Sequence, residues 1–212
     1  MLFEDSMTHL LTQTELSTIH NKEFFFIKAS ATDKIKQLLA ESREEIKNII
    51  EKENILFPKE VDTQTGKIFR GENYLGLPYL ILDYPKHFSK ESVFAFRTMF
   101  WWGNFFSTTL HVQGKALEEY RKSLSKGERG VNRLRKKKIY ICVNNNPWQY
   151  HYKKDNYLLI DKLTDAELKK IFLEKEFIKL SRKISIKTYK HIGEFAKESF
   201  LFFLPHTSFN RI

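Results

Sequence analysis

The chain has 212 residues, 42% of them hydrophobic and 29% charged, with 19 Phe against only 8 Gly and 5 Pro. That composition excludes a loop-rich or repetitive architecture and suffices to bury a substantial core. A single cysteine, Cys142, excludes an internal disulfide and every cysteine-rich zinc pattern. The net charge of +10 is concentrated: residues 121–138, "RKSLSKGERGVNRLRKKK", carry nine basic side chains and one acidic, and the rest of the chain is near neutral with 27 basic and 25 acidic.

Nothing in "MLFEDSMTHLL" reads as a signal peptide, because acidic residues stand where a basic region belongs and no small-residue cleavage site follows. The longest apolar runs, such as "FLFFL" at 200–204, are too short to span a bilayer. The expectation is a cytoplasmic protein without a transmembrane segment. The Lys, Ile, Asn and Phe bias points to an AT-rich bacterial genome.

Residues 1–29 give little. "TQTELSTIH" starts like a capped helix, with Thr12 three before Glu15, and "EFFFIK" suggests a short buried run. From Ser30 the signal is stronger: Ile35, Leu38, Leu39, Ser42, Ile46, Ile49 and Ile50 recur at helical spacing and predict an amphipathic helix over about 32–53. A Pro- and Gly-bearing connection follows, with a short strand around Lys67 to Arg70, and "YLILDY" reads as a buried strand ended by Pro85.

In "FAFRTMFWWGNFFSTTLHV", residues 94–112, Gly103-Asn104 between two strand-like runs is a two-residue hairpin signal. That turn places Phe96, Thr98, Phe100 and Trp102 opposite His111, Thr109, Ser107 and Phe105 on one face. The other face, with Val93, Ala95, Arg97, Met99, Trp101, Phe106, Thr108, Leu110 and Val112, is the more uniformly apolar and is assigned to the main core. Both faces read as covered, by helices on one side and by something else on the other.

"KALEEYRKSL" predicts a helix ended by Gly127. "KIYICV" and "WQYHYK" around "NNNP" predict a second hairpin, with Val143, Ile141 and Ile139 opposite Trp148, Tyr150 and Tyr152, and "NYLLI" continues as a strand. "LTDAELKKIFLEKEF" opens with a capping box, Thr164 to Glu167, and predicts a helix over about 165–175. "FIKLSRKISI" is strand-like. Ile192, Phe195, Ala196, Ser199, Phe200 and Phe203 make the apolar side of a last helix over about 187–204. The expectation is a single α+β domain spanning 1–212, its mostly antiparallel sheet built from hairpins at about 79–112 and 138–160 and packed by those helices, with 121–138 a flexible basic segment within it.

Strong catalytic and cofactor motifs are absent. "GENYLG" has the glycine spacing of a phosphate loop, but Leu77-Pro78 stands where Lys and Ser/Thr are needed. Three functional hypotheses remain. The leading one is a non-catalytic binding protein for a small molecule or peptide, using the hairpin residues Phe96, Arg97, Thr98, Phe100, Trp102, Phe105, Ser107, Thr109 and His111. Arg97 needs a carboxylate partner or a ligand in an apolar strand, and Asp83 at the end of the preceding strand is the candidate partner. The second is nucleic-acid or acidic-protein binding through Arg129, Arg133, Arg135, Lys136, Lys137 and Lys138. The third is an enzyme or metal site built from Asp83, His87 and His111, which requires those three to converge. Cys142 with His151 is a further nucleophile–base pair to weigh against Cys142 as a small core residue. No cofactor is indicated, and the oligomeric state is not readable.

Overall fold

A computed structural model describes residues 10–126, 134–135 and 137–204. The chain divides into two compact units, residues 1–37 and 38–212, and the boundary falls inside one long helix.

In the first unit, α1 (Gln13–His20) begins at the expected capping box: Thr12 accepts from the Glu15 amide, and the Glu15 carboxylate accepts from the Thr12 amide. No residue of α1 is buried. The helix α2 (Lys22–Lys52) starts ten residues earlier than the periodicity predicted and absorbs "EFFFIK". Phe24, Phe25, Phe26 and Ile27 are therefore helical and 46–73% exposed, not a buried run.

The second unit holds a seven-stranded antiparallel sheet. Its strands are β1 (Lys67–Tyr74), β2 (Leu77–Phe88), β3 (Ser92–Trp101), β4 (Phe105–Gly114), β5 (Tyr140–Cys142), β6 (Tyr157–Leu159) and β7 (Phe177–Ser185), in the order β1-β2-β3-β4-β7-β5-β6. Helices α3 (Lys115–Lys126), α4 (Asp165–Glu174) and α5 (Ile192–Phe203) complete it, and α4 opens on the Thr164–Glu167 capping box. The predicted α+β class and antiparallel sheet hold.

Two local predictions do not. The β3–β4 turn has three residues, Trp102, Gly103 and Asn104, and Trp101 pairs with Phe105. Gly103 takes the left-handed conformation at φ 68°, the geometry of a three-residue hairpin rather than a two-residue one. The register is one residue off the prediction, and a one-residue slip exchanges faces. Arg97 now pairs with Thr109 and Ala95 with His111, while Phe96 pairs with Leu110 and Phe100 with Phe106.

The main core lies on the Phe96 face. The Phe96 ring meets Phe200 and Phe203 of α5 at centroid distances of 5.1 and 6.3 Å, and Phe57 bridges Phe94 and Phe200. The α2 residues Leu39, Ser42 and Ile46 are fully buried, and Lys197 of α5 bonds Glu45 of α2 at 3.0 Å.

The second misprediction is residues 148–152, which do not form a strand. β5 pairs instead with β6 through Tyr140–Leu159, Ile141–Leu158 and Cys142–Tyr157, and 143–156 is a long irregular connection. Its backbone groups are satisfied mainly by side chains. The Tyr74 hydroxyl accepts from the amides of Tyr150 (2.7 Å) and His151 (3.0 Å), and Asn156 donates to the His151 carbonyl.

Candidate ligand-binding site

The connection 143–156 covers the sheet face opposite the main core, where an apolar cluster of Ile81, Met99 and Trp101 adjoins a polar, cationic patch. Two cross-strand rows define it. In one, Asp83, Arg97, Thr109 and Ser181 stand side by side across β2, β3, β4 and β7; in the next, Ala95, His111 and Lys179 cross β3, β4 and β7.

Arg97 finds the predicted partner. Its Nε and Nη2 donate to the two Asp83 carboxylate oxygens at 2.7 and 2.8 Å, a bidentate pair, and Nη1 donates to the Tyr150 hydroxyl at 2.9 Å. Burial works against the guanidinium charge, but Asp83 and Tyr150 more than restore it and raise its pKa. Arg97 also lies over the rings of Tyr150 and Trp148, at 5.3 and 5.9 Å.

Lys179 is 3% exposed and was not among the sequence candidates. Its ammonium donates to the carbonyls of Pro147 (2.6 Å) and Gln149 (2.9 Å), pinning the covering connection to β7. It forms no ion pair with any carboxylate among the described residues. Burial lowers its pKa to about 7, with the Arg97 charge adding to the effect. The signal in the sequence was the one used for Arg97: a basic residue between Ile178 and Leu180 in an apolar strand.

His111 is 5% exposed, stands beside Lys179, and meets Trp148 and Phe177 edge-on at 5.8 and 5.7 Å. Burial, with Lys179 and Arg97 nearby, lowers its pKa to about 3, so the ring is neutral at physiological pH. Its Nε2 is buried and has no hydrogen-bond partner among the described residues.

These groups enclose a cavity. Arg97, Thr109, His111 and Lys179 line it from the sheet, Pro147 and Tyr150 from the cover, and the small side chain of Ala95 leaves the space. It holds about one water-sized group. Beside it, Trp148 and Phe88 are 48% and 44% exposed with ring centroids 6.5 Å apart.

The remaining sequence candidates scatter. Phe96, Thr98 and Phe100 lie on the helix-packed face and are buried there, a correction shown by the contacts of Phe96 with Phe200 and Phe203, and the register separates them from Phe105, Ser107, Thr109 and His111. Trp102 sits in the turn. Ser107 and Phe105 are on the cavity's face, but Phe105 packs on Trp101 and Tyr152. Asp83 and His111 share that face, whereas His87 pairs with Phe94 on the opposite one and bonds the Glu60 carbonyl at 3.0 Å. The three residues of the enzyme hypothesis do not converge, and no group of three metal-ligating side chains occurs among the described residues.

Cys142 is buried against Asn156 and burial raises its pKa, while the His151 ring accepts from the Lys153 amide instead. Of the basic segment, Arg129, Arg133 and Lys136 lie outside the described residues. Arg135 donates to the carbonyls of Ile160 and Leu163 and to Asp165, Lys137 bonds Glu198, and Lys138 is exposed. Arg121 donates to the carbonyls of Phe172, Leu173 and Lys175 at the end of α4. Arg121, Arg135 and Lys137 are therefore engaged in tying the unit together.

No helix among the described residues is long and apolar enough to cross a membrane. No protein-family model, curated protein or solved structure matches the chain.

Proposed function

We propose that this protein is a non-catalytic binding protein that seats part of a small molecule in the cavity between the β3–β4 hairpin and the 143–156 connection. The observation that carries this reading is the cavity lined by Arg97, His111 and Lys179, where His111 has a buried Nε2 with no hydrogen-bond partner among the described residues. Buried polar atoms are normally satisfied, and an unsatisfied one costs about 1–3 kcal/mol. A ligand that supplies the missing partner recovers that cost. The exposed pair Trp148 and Phe88 offers apolar cover for the part of the ligand outside the cavity. A reducing compartment such as the cytoplasm suits the lone buried thiol of Cys142.

The test is a thermal-shift screen of the purified full chain against small polar metabolite-like compounds, run in parallel on Ala95→Leu, which fills the cavity. Compounds that stabilise the wild type and not the variant are expected. A library in which every hit stabilises both proteins equally overturns the reading.

A further inference from the structure

We infer that the group held in this cavity is a small monovalent anion, seated between Lys179, His111 and Arg97. This rests on the cavity being a binding site, as proposed above, and specifies its ligand.

The first argument is charge balance. Arg97 and Asp83 neutralise each other through two hydrogen bonds. Lys179, when protonated, then brings one further positive charge into a buried site without an ion-pair partner among the described residues. Cys142 does not compensate it, because burial keeps its thiol protonated. Buried charges are as a rule paired, and one negative charge closes this site.

The second argument is donor count. An ammonium has three N–H groups, and Lys179 directs two of them to the carbonyls of Pro147 and Gln149. The third meets no oxygen or nitrogen acceptor among the described residues, and the ammonium lies over the rings of Tyr150 and Tyr157 at 5.5 and 5.4 Å, weaker partners than an anion. His111 Nε2 is buried with no hydrogen-bond partner among the described residues, and a neutral imidazole can carry its proton on that nitrogen. One acceptor between the two groups satisfies both. A cation there would instead face Lys179 and Arg97.

The third argument is size. Space for about one water-sized group admits a halide or one end of a carboxylate and excludes phosphate and sulfate.

The two sources of such an anion, a free halide and the head of an organic acid, separate by experiment. The ¹⁵N-labelled full chain is titrated at pH 6.5 with sodium chloride, sodium formate or neutral formamide, alongside Ala95→Val and Lys179→Met. Amides around the cavity are expected to shift saturably with an anion in the wild type and not in Ala95→Val, which fills the space while keeping every charge. Lys179→Met is expected to weaken the affinity at least tenfold. Because the anion selects the protonated amine, affinity falls about tenfold per pH unit above about 7.

Saturation by chloride and formate alike identifies a free small anion, and saturation by formate alone identifies the carboxylate of an organic acid. Binding of formamide without either anion overturns the anion assignment while the cavity remains a site. Identical responses in wild type and Ala95→Val for all three overturn the assignment and, with a negative library screen, the binding reading too.

Discussion

The two faces of one sheet are closed by opposite means. The Phe96 face is covered by helices through interlocking rings, and its burial is driven by apolar area. The Arg97 face is covered by an irregular connection whose attachment runs through an ion pair, a lysine on two carbonyls and a tyrosine hydroxyl on two amides. The first face tolerates little change of volume, and its ion pair, Arg182 with Glu198, links the sheet to α5 beside the rings. The second holds charged groups out of water and responds to protons.

The largest expected effect is on the first face. Phe96→Ala removes a fully buried ring from between Phe200 and Phe203 and should cost about 3–5 kcal/mol in urea denaturation, with the same loss at pH 6 and pH 9. On the second face, Arg97→Met strands the buried Asp83 carboxylate and should cost about 3 kcal/mol or more. Replacing both, Arg97→Met with Asp83→Leu, should recover most of that loss. A double variant as unstable as the single one would mean the pair is not the unit of stability.

The titration profile comes next. His111 falls from 6.5 in the unfolded chain to about 3 in the folded one, so between those values the unfolded state holds the extra proton and stability drops as pH falls from 6.5 toward 3. Lys179 is lowered from 10.5 to about 7, so its penalty is fully present below pH 7 and is relieved as pH rises from 7 to 10.5. Melting temperature should therefore climb with pH in both windows. His111→Gln should flatten the acid limb and Lys179→Met the alkaline one, with Phe96→Ala changing neither slope.

The smallest expected effect sharpens the contrast. Thr98 and Thr108 are paired on the apolar face, and both hydroxyls are buried without a partner among the described residues. Thr98→Val should be neutral or stabilising by up to about 1 kcal/mol, because an unsatisfied hydroxyl is exchanged for a methyl of the same shape. A clear destabilisation would show that polarity matters on this face as well.

The sequence was most legible where a signal is local. Both capping boxes, Thr12 with Glu15 and Thr164 with Glu167, are formed as their spacing implies. The Arg97–Asp83 pair was readable because a basic residue in an apolar strand needs a nearby carboxylate. Which hairpin face became core was not readable. Both faces of β3 are apolar and buried, so alternation does not distinguish them, and one extra turn residue decided the register. Trp148, Tyr150 and Tyr152 alternate like a strand, yet the acceptor for the Tyr150 amide is the side chain of Tyr74, 76 positions away. No local pattern encodes that contact.

Phe24, Phe25, Phe26 and Ile27 carry a consequence for how the protein behaves in solution. Consecutive residues of a helix are about 100° apart, so these four exposed apolar side chains point around most of its circumference. A flat partner surface would cover only one or two of them. Shielding all four takes something that surrounds the helix, a bundle of other helices or a detergent micelle, and a mild detergent should reduce self-association of the purified chain more than added salt does.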